Sequence, residues 1–206
     1  MAEPAAVHVI DDDEAVRHSL EFLLDCAGIP VRTYESGLAF LKVVGDLRSG
    51  CILTDVRMPD LDGLALQQKL LQMGIRLPII VMTGHGDVPI AVQALKAGAA
   101  DFIEKPFEDE VLVAAVRSAL DASLRSQERE KEAEEIAARL ATLTPRERQV
   151  LDRLVAGQPN ETIAFDLGAS PRTVEVHRAR VMEKMGARSF SELVRMAVSV
   201  GAGGTR

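Results

Sequence analysis

Acidic, hydroxyl and lysine side chains follow four short apolar runs of the sequence, each at the point where the run ends. These residues are the Asp11–Asp13 triplet, Asp55, Thr83 and Lys105. Carboxylates that are pressed together repel one another, so their grouping requires either protonation or a divalent cation that neutralises them. Oxygen ligands favour Mg²⁺, and Mn²⁺ accepts similar donors. The pattern therefore predicts a divalent-metal site, provided that one fold brings the four run ends together.

Asp55 is the candidate nucleophile of this site. It stands alone after its apolar run, whereas Asp11 and Asp12 are adjacent and better placed to hold a metal. A carboxylate beside Mg²⁺ can attack a phosphoryl group and form an acyl phosphate. Lys105 would then contact the phosphoryl oxygens as a point charge, and the Thr83 hydroxyl could donate a hydrogen bond to one of them. These residues predict phosphoryl transfer to Asp55.

The order of elements in residues 5–122 explains why these four candidate positions are expected to lie close together. Short apolar runs alternate with longer amphipathic segments, which is typical of a doubly wound, flavodoxin-like α/β domain with a five-stranded parallel sheet. Ligands of such sheets bind at the carboxyl ends of the strands, where the candidate residues stand. The predicted strands are Val7–Ile10, Pro30–Tyr34, Cys51–Thr54, Pro78–Met82 and Asp101–Glu104, and the predicted helices begin near Asp13, Ser36, Asp62, Val88 and Asp109.

The rest of the chain has a different pattern. Residues 123–138 are rich in Ala, Glu and Arg and predict a helical linker, whereas 139–203 predict a small all-α domain of four helices. Thr144 can cap the first of these helices, and Glu147 completes a capping box. The others begin near Asn160, Ser170 and Ser191. A tight glycine-containing turn between the second and third helices predicts a helix-turn-helix domain.

Composition limits the classes of function. Residues 1–125 hold 19 acidic and 11 basic residues, while 144–206 hold seven acidic and ten basic ones, so the C-terminal part is the candidate for contact with DNA. No apolar stretch approaches the roughly 18 residues of a membrane span, and no secretory signal pattern occurs. We therefore expect a cytoplasmic protein without a membrane partner. The two cysteines, Cys26 and Cys51, suggest no disulfide framework or metal site and are expected to be buried.

The N-terminal part resembles the response-regulator receiver family over roughly residues 5–122. The resemblance rests on Asp11-Asp12, the segment Thr54–Gly63 around Asp55, Thr83-Gly84 and Lys105-Pro106-Phe107. It implies that Asp55 is the phosphorylated residue. It also implies that Mg²⁺ is held by Asp11, Asp12, Asp55 and the backbone carbonyl of Arg57.

The same resemblance assigns further roles. Thr83 and Lys105 would bind the phosphoryl group, and Phe102 would be the aromatic switch of the fifth strand. The Lys105-Pro106 peptide bond is expected to be cis, as is common in this family. Arg57 and His85, each two residues beyond a site residue, would tune how long the phosphate survives.

The C-terminal part resembles a LuxR-type DNA-binding domain over about residues 139–203. The resemblance rests on Leu143–Leu151, Asn160–Ala164 and Ser170–His177, and it implies that the helix from Ser170 enters the major groove. On a helical wheel Val174, Val181 and Met185 form the inward stripe of this helix. The residues expected on its DNA side are Arg172, Thr173, Glu175, Val176, His177, Ala179, Arg180 and Lys184.

Together the two halves resemble regulators of the FixJ type. That resemblance implies a transcription regulator, not an enzyme, whose partners are a sensor histidine kinase, promoter DNA and RNA polymerase. The kinase would be an oxygen-sensing haem protein similar to FixL, and the targets would be nitrogen-fixation or microaerobic genes under activation.

The predicted fourth helix suggests how phosphorylation reaches the DNA. Residues 88–100 carry one charge, that of Lys96, so the outward face of the helix is unusually apolar. Packing against its own domain is one explanation. The other is a homodimer surface, formed on phosphorylation, that includes Val88, Ile90 and Val92.

Two other functions remain open on sequence grounds. Aspartate-nucleophile phosphatases share the α/β sheet, Mg²⁺, Thr and Lys, but they need a second Asp where this chain has Arg57. A pure protein-binding relay would leave residues 139–203 without a role. No phosphate-binding glycine loop, dinucleotide fingerprint or hydrolase nucleophile elbow occurs, which argues against those enzyme classes.

Overall fold

A computed structural model describes residues 5–84 and 88–201 of the 206-residue chain. The chain forms two compact units that divide between Gln127 and Glu128. Among the described residues, no helix has both the length and the apolar character needed to cross a membrane.

The first unit is built on a parallel sheet of five strands in the order β2-β1-β3-β4-β5. The strands are β1 (Ala6–Ile10), β2 (Val31–Tyr34), β3 (Gly50–Asp55), β4 (Ile79–Thr83) and β5 (Asp101–Glu104). The central strands β1 and β4 are buried along their whole length, as expected for a sheet that is covered on both faces. The doubly wound fold class predicted from the sequence is confirmed.

Helices follow each strand of this sheet. They are α1 (Glu14–Cys26), α2 (Gly37–Leu41), α3 (Gly63–Gln72), α4 (Val88–Lys96) and α5 (Asp109–Ala141), with a 3₁₀ turn at Val44–Asp46. Asp13, Ser36 and Asp62 cap α1, α2 and α3, because their side chains accept hydrogen bonds from first-turn amides. These three helix starts agree with the sequence prediction.

Two apolar clusters pack on the opposite faces of the sheet. Neighbouring residues of β3 divide between them: Ile52 belongs to one cluster, and Cys51 and Leu53 belong to the other. This alternation follows from the two-residue period of a strand. Burial raises the pKa of the Cys51 thiol to about 12, whereas Cys26 is exposed, so the prediction of a buried residue was right for Cys51 and wrong for Cys26.

The helix α5 begins in the first unit and ends in the second. Ser123 is buried, and its hydroxyl accepts a hydrogen bond from the amide of Gly50 at 3.1 Å. Ile136, thirteen residues further on, is buried in a core cluster of the second unit. Residues 123–138 are therefore not a free linker, because both of these positions are packed into folded units.

The second unit adds four helices to the end of α5: α6 (Pro145–Val155), α7 (Asn160–Asp166), α8 (Pro171–Met185) and α9 (Phe190–Ser199). The predicted capping box is present, since Thr144 and Glu147 each bond the backbone of the other. Gly186 ends α8 with a φ of 66°, a conformation that glycine adopts without strain. The predicted all-α helix-turn-helix architecture is confirmed.

Candidate phosphoryl-acceptor site and DNA-binding surface

The strand order places the candidate residues at one edge of the sheet. β3 lies between β1 and β4, with Ile10 beside Thr54 and Asp55 beside Met82. Asp11 therefore emerges next to Asp55, and Thr83 ends the strand on the other side. The convergence expected from the sequence is present in the fold.

The ammonium group of Lys105 joins two of the carboxylates. Its Nζ lies 2.5 Å from Oδ1 of Asp55 and 3.1 Å from Oδ2 of Asp11. Burial alone would lower the pKa of Lys105, but the hydrogen bond and charge of Asp55, followed by those of Asp11, outweigh this effect and raise it. Lys105 is thus a cation that lies between two acidic side chains.

Backbone amides hold the other oxygens of these carboxylates. Oδ2 of Asp55 accepts a hydrogen bond from the amide of Arg57 at 2.6 Å, and Oδ1 of Asp11 accepts one from the amide of Asp13 at 3.0 Å. The Asp11 side chain is 3% exposed and that of Asp55 is 13% exposed. Asp55 is therefore oriented and yet reachable from solvent, as an acceptor must be.

The structure supports a metal at this edge only in part. Among the described residues, no three His, Cys, Asp or Glu side chains are grouped as a metal cluster. Asp12 is exposed, and Asp11 and Asp55 meet at Lys105. Mg²⁺ nevertheless fits this donor set, because it commonly keeps several waters and uses only one or two protein carboxylates.

Three other predicted site residues have defined places. Thr83 is buried at the end of β4, and its carbonyl accepts a hydrogen bond from the amide of Lys105 at 2.7 Å. Phe102 lies on β5 and is 39% exposed. The Lys105-Pro106 bond is cis, as expected. His85 lies outside the described residues.

Sequence reasoning did not identify Arg17. Its guanidinium donates hydrogen bonds from Nη1 to the carbonyl oxygens of Asp11 and Asp12, at 2.8 and 3.0 Å. The signal available in the sequence was position: Arg17 lies one helical turn after the capping residue Asp13, within reach of the preceding connection.

A groove of about 700 Å³ adjoins the acidic site. It is lined by α1 and by the connection from β5 to α5, with Leu23, Cys26, Lys105 and Phe107 among its residues. Phe22, another lining residue, is 69% exposed. The acceptor site is thus bordered by an apolar surface.

The second candidate site is the exposed side of α8. Ser170 caps this helix by accepting a hydrogen bond from the amide of Thr173 at 3.1 Å. The predicted inward stripe is confirmed, because Val174, Val181 and Met185 are buried. Six of the eight residues predicted to face DNA are exposed: Arg172, Thr173, Glu175, Val176, Ala179 and Arg180.

The other two residues predicted to face DNA, His177 and Lys184, are only half-exposed. Nζ of Lys184 donates to Oε2 of Glu147 at 2.7 Å and to the carbonyl of Thr142 at 3.1 Å, so its charge is used inside the domain. The hydrogen bond from Lys184, followed by the amide of Thr144, lowers the pKa of Glu147 to about 2. His177 is half-buried, and its Nδ1 has no hydrogen-bond partner in the described part of the chain. The geometry does not support Lys184 as a DNA contact.

The candidate dimer residues on α4 differ from one another. Val92 is 43% exposed, whereas Ile90 is half-buried and packs against a core cluster of its own unit. The side chain of Val88 lies outside the described residues. The structure thus leaves Val92 available to a partner and does not favour Ile90, because a side chain directed at its own core presents little surface.

Two protein families match this chain. Residues 7–117 match the family described as "Response regulator receiver domain", and residues 141–197 match "Bacterial regulatory proteins, luxR family". The chain is 55% identical to the transcriptional regulatory protein FixJ of Azorhizobium caulinodans, across 98% of this chain and 95% of the relative. It is 53% identical to FixJ of Rhizobium meliloti, across 96% and 97% of the two chains.

Solved structures of response regulators match nearly the whole chain. Full-length FixJ from B. japonicum is 50% identical and matches 97% of this chain and 98% of its own, with a TM-score of 0.60. The response regulator StyR is 36% identical and matches 95% and 99%, with a TM-score of 0.82. The chain therefore belongs to the two-component response regulators of the FixJ type, in which a receiver domain is joined to a luxR-family DNA-binding domain.

Proposed function

We propose that Asp55 accepts a phosphoryl group from a sensor histidine kinase and that this modification controls DNA binding by α8. The observation that carries the proposal is the contact of Lys105 with both Asp55 and Asp11, at 2.5 and 3.1 Å. A cation beside the accepting carboxylate can balance the charge of the transferred phosphoryl oxygens, which is the electrostatic stabilisation that phosphoryl transfer depends on.

In the proposed transfer, an oxygen of Asp55 attacks phosphorus while the bond from phosphorus to the kinase histidine nitrogen breaks. The electron pair of that bond returns to the imidazole, and Asp55 becomes an acyl phosphate. Lys105 then compensates the charge of the phosphoryl oxygens, and Thr83 donates its hydroxyl to one of them. Mg²⁺ or Mn²⁺, held by Asp11, Asp12, Asp55 and the carbonyl of Arg57, would supply further positive charge to these oxygens.

The output of the proposed switch is transcription. Phosphorylation would favour a receiver homodimer, and joining two receivers raises the effective concentration of the second DNA-binding domain. The exposed side of α8 would read promoter DNA and bring RNA polymerase to nitrogen-fixation or microaerobic genes. The identity to relatives named FixJ supports these targets, and it supports a FixL-like, oxygen-sensing haem kinase as the donor. The cytoplasmic location stays a prediction.

Asp55→Asn tests the acceptor directly. The parent chain should take up close to one phosphate from acetyl phosphate, or from a phosphorylated histidine kinase, in buffer that contains Mg²⁺. The variant should fold with the same helical content and take up none, because an amide cannot replace the carboxylate nucleophile. Stoichiometric, acid-stable labelling of Asp55→Asn would show that another residue is the acceptor.

A further inference from the structure

Arg17 contacts the connection between β1 and α1 that carries Asp11 and Asp12. Its Nη1 donates to the carbonyl oxygens of both residues, at 2.8 and 3.0 Å. Its own amide donates to the carbonyl of Asp13 at 3.0 Å, in the first turn of α1. The half-buried side chain therefore folds back from the helix onto the preceding connection.

This contact fixes the backbone and not the carboxylates. The two aspartates present their side chains from adjacent residues, so the direction of each side chain depends on the path of the backbone between them. Asp11 is further oriented by the amide of Asp13 and by Lys105, at 3.0 and 3.1 Å. Asp12 is exposed, and the bond from its carbonyl to Arg17 ties its main chain to α1.

We propose that Arg17 is a positioning residue for divalent-metal binding: it holds the main chain of Asp11 and Asp12 so that both carboxylates are arranged before the cation arrives. This inference rests on the proposed function, since it assumes a metal at these aspartates. Residues that orient metal ligands without touching the metal commonly change affinity by about 10–100-fold.

The charge of Arg17 makes the proposal testable, because replacing Arg17 should raise the affinity for Mg²⁺ if charge dominates and lower it if positioning dominates. A guanidinium near a cation site repels the cation, so its removal should strengthen metal binding if charge were its main influence. Loss of the two hydrogen bonds acts in the opposite direction, because the freed connection must be ordered again when the cation binds.

Calorimetric titration of the full-length chain with Mg²⁺ measures this effect without phosphorylation. In Arg17→Met the Kd for Mg²⁺ should rise about tenfold. Arg117→Met is the matched control, because Arg117 also donates to a backbone carbonyl of the first unit, that of Ala27 at 3.2 Å, and contacts neither Asp11 nor Asp12. Its Kd should equal that of the parent.

The outcomes separate this inference from the proposed function. A parent chain that binds no Mg²⁺ would overturn the metal site itself. A parent that binds Mg²⁺, with Arg17→Met binding equally well or more tightly, would overturn only the role of Arg17, and so would an equal loss in the Arg117 control. If Arg17→Met does not fold, Arg17→Lys is measured instead. The lysine side chain is one bond shorter than that of arginine, so we expect it to bind Mg²⁺ several-fold more weakly than the parent. A parental affinity for Mg²⁺ in Arg17→Lys would contradict the proposal.

Discussion

Lys105 is the residue that allows Asp11 and Asp55 to lie close together. Two carboxylates beside one ammonium group leave a net negative charge, which favours a cation at this edge of the sheet. Without the lysine the two carboxylates would repel each other. The same side chain therefore stabilises the observed site and, in the proposed function, would also bind the phosphoryl group.

Glu147 should stabilise the DNA-binding unit through its contacts with Lys184 and Thr144. Glu147→Gln removes the charge of a buried carboxylate that accepts bonds from both. We expect the free energy of unfolding of this unit at pH 7 to fall by about 1–2 kcal/mol. Urea unfolding followed by circular dichroism measures the change, with the exposed Glu134→Gln as the control.

The effect of this substitution should depend on pH. The folded pKa of Glu147 is about 2, below the ordinary value of 4.5, so its carboxylate contributes fully above about pH 4.5. That contribution is lost as the pH falls towards 2, where the folded-state group takes up a proton. The stability difference between the parent and Glu147→Gln should shrink over this window, and a constant difference would argue against the ion pair.

Arg180 should contact DNA, because it is exposed on the side of α8 that also carries Arg172. Arg180→Ala should weaken binding to DNA fragments selected from the genome. If Arg180 binds phosphate, the loss will be similar for all sequences and the salt slope will fall by about one; if it reads a base, discrimination will fall by roughly 1–3 kcal/mol. Arg148→Ala, which removes the same charge from α6, should bind like the parent. Unchanged binding by Arg180→Ala would remove it from the interface.

Residue type and spacing were enough to predict that Asp11, Asp55 and Lys105 come together and that α8 has a buried stripe. The contacts of Arg17 and Lys184 could not be predicted in this way. Arg17 binds main-chain carbonyls, which every sequence possesses, so its partners leave no signal in the sequence. Lys184 was expected at the DNA, but a buried Glu147 on another helix accepts its bond. Contacts between residues on distant elements can be identified only once the fold is known.

At the level of elements, local signals were the most informative. Helix caps such as Asp13, Asp62 and Thr144 were predictable because a cap is a contact over two or three residues. The helical linker that was predicted for residues 123–138 is part of α5 (Asp109–Ala141), but its packing was not predictable, because this segment lacks an unbroken apolar stripe. Ser123 is buried in the first unit and Ile136 in the second, so this helix contributes buried residues to both units.

Ile136 gives a test of where the DNA-binding unit begins. Ile136 is buried against a core that includes Leu151, Val181 and Met185. It nevertheless precedes residue 139, where the sequence predicted that the domain begins. Ile136→Ala should therefore destabilise the unit by about 2–4 kcal/mol, as in other cores that lose a large side chain. Thermal unfolding measures the loss. Glu134→Ala, an exposed change on the same helix, should have little effect, and equal stabilities would place the domain boundary after Ile136.

For the whole molecule, phosphorylation should change the oligomeric state. Val92 is an exposed apolar residue on α4, so Val92→Glu should prevent phosphate-dependent dimerisation while Asp55 is still phosphorylated. Analytical ultracentrifugation of the phosphorylated chain measures this directly. Leu71→Glu is the control, since Leu71 is exposed to a similar degree on α3. A Val92→Glu dimer as tight as that of the parent would exclude this surface.

The unequal burial of the two cysteines has a practical consequence. Alkylating reagents attack the thiolate, which the buried Cys51 scarcely forms with a pKa of about 12, whereas Cys26 is open to solvent. The folded protein thus carries a single attachment point for a fluorophore or spin label without any engineering. Because Cys26 lines the same groove as Lys105, a reporter attached there would respond to changes beside the candidate acceptor site.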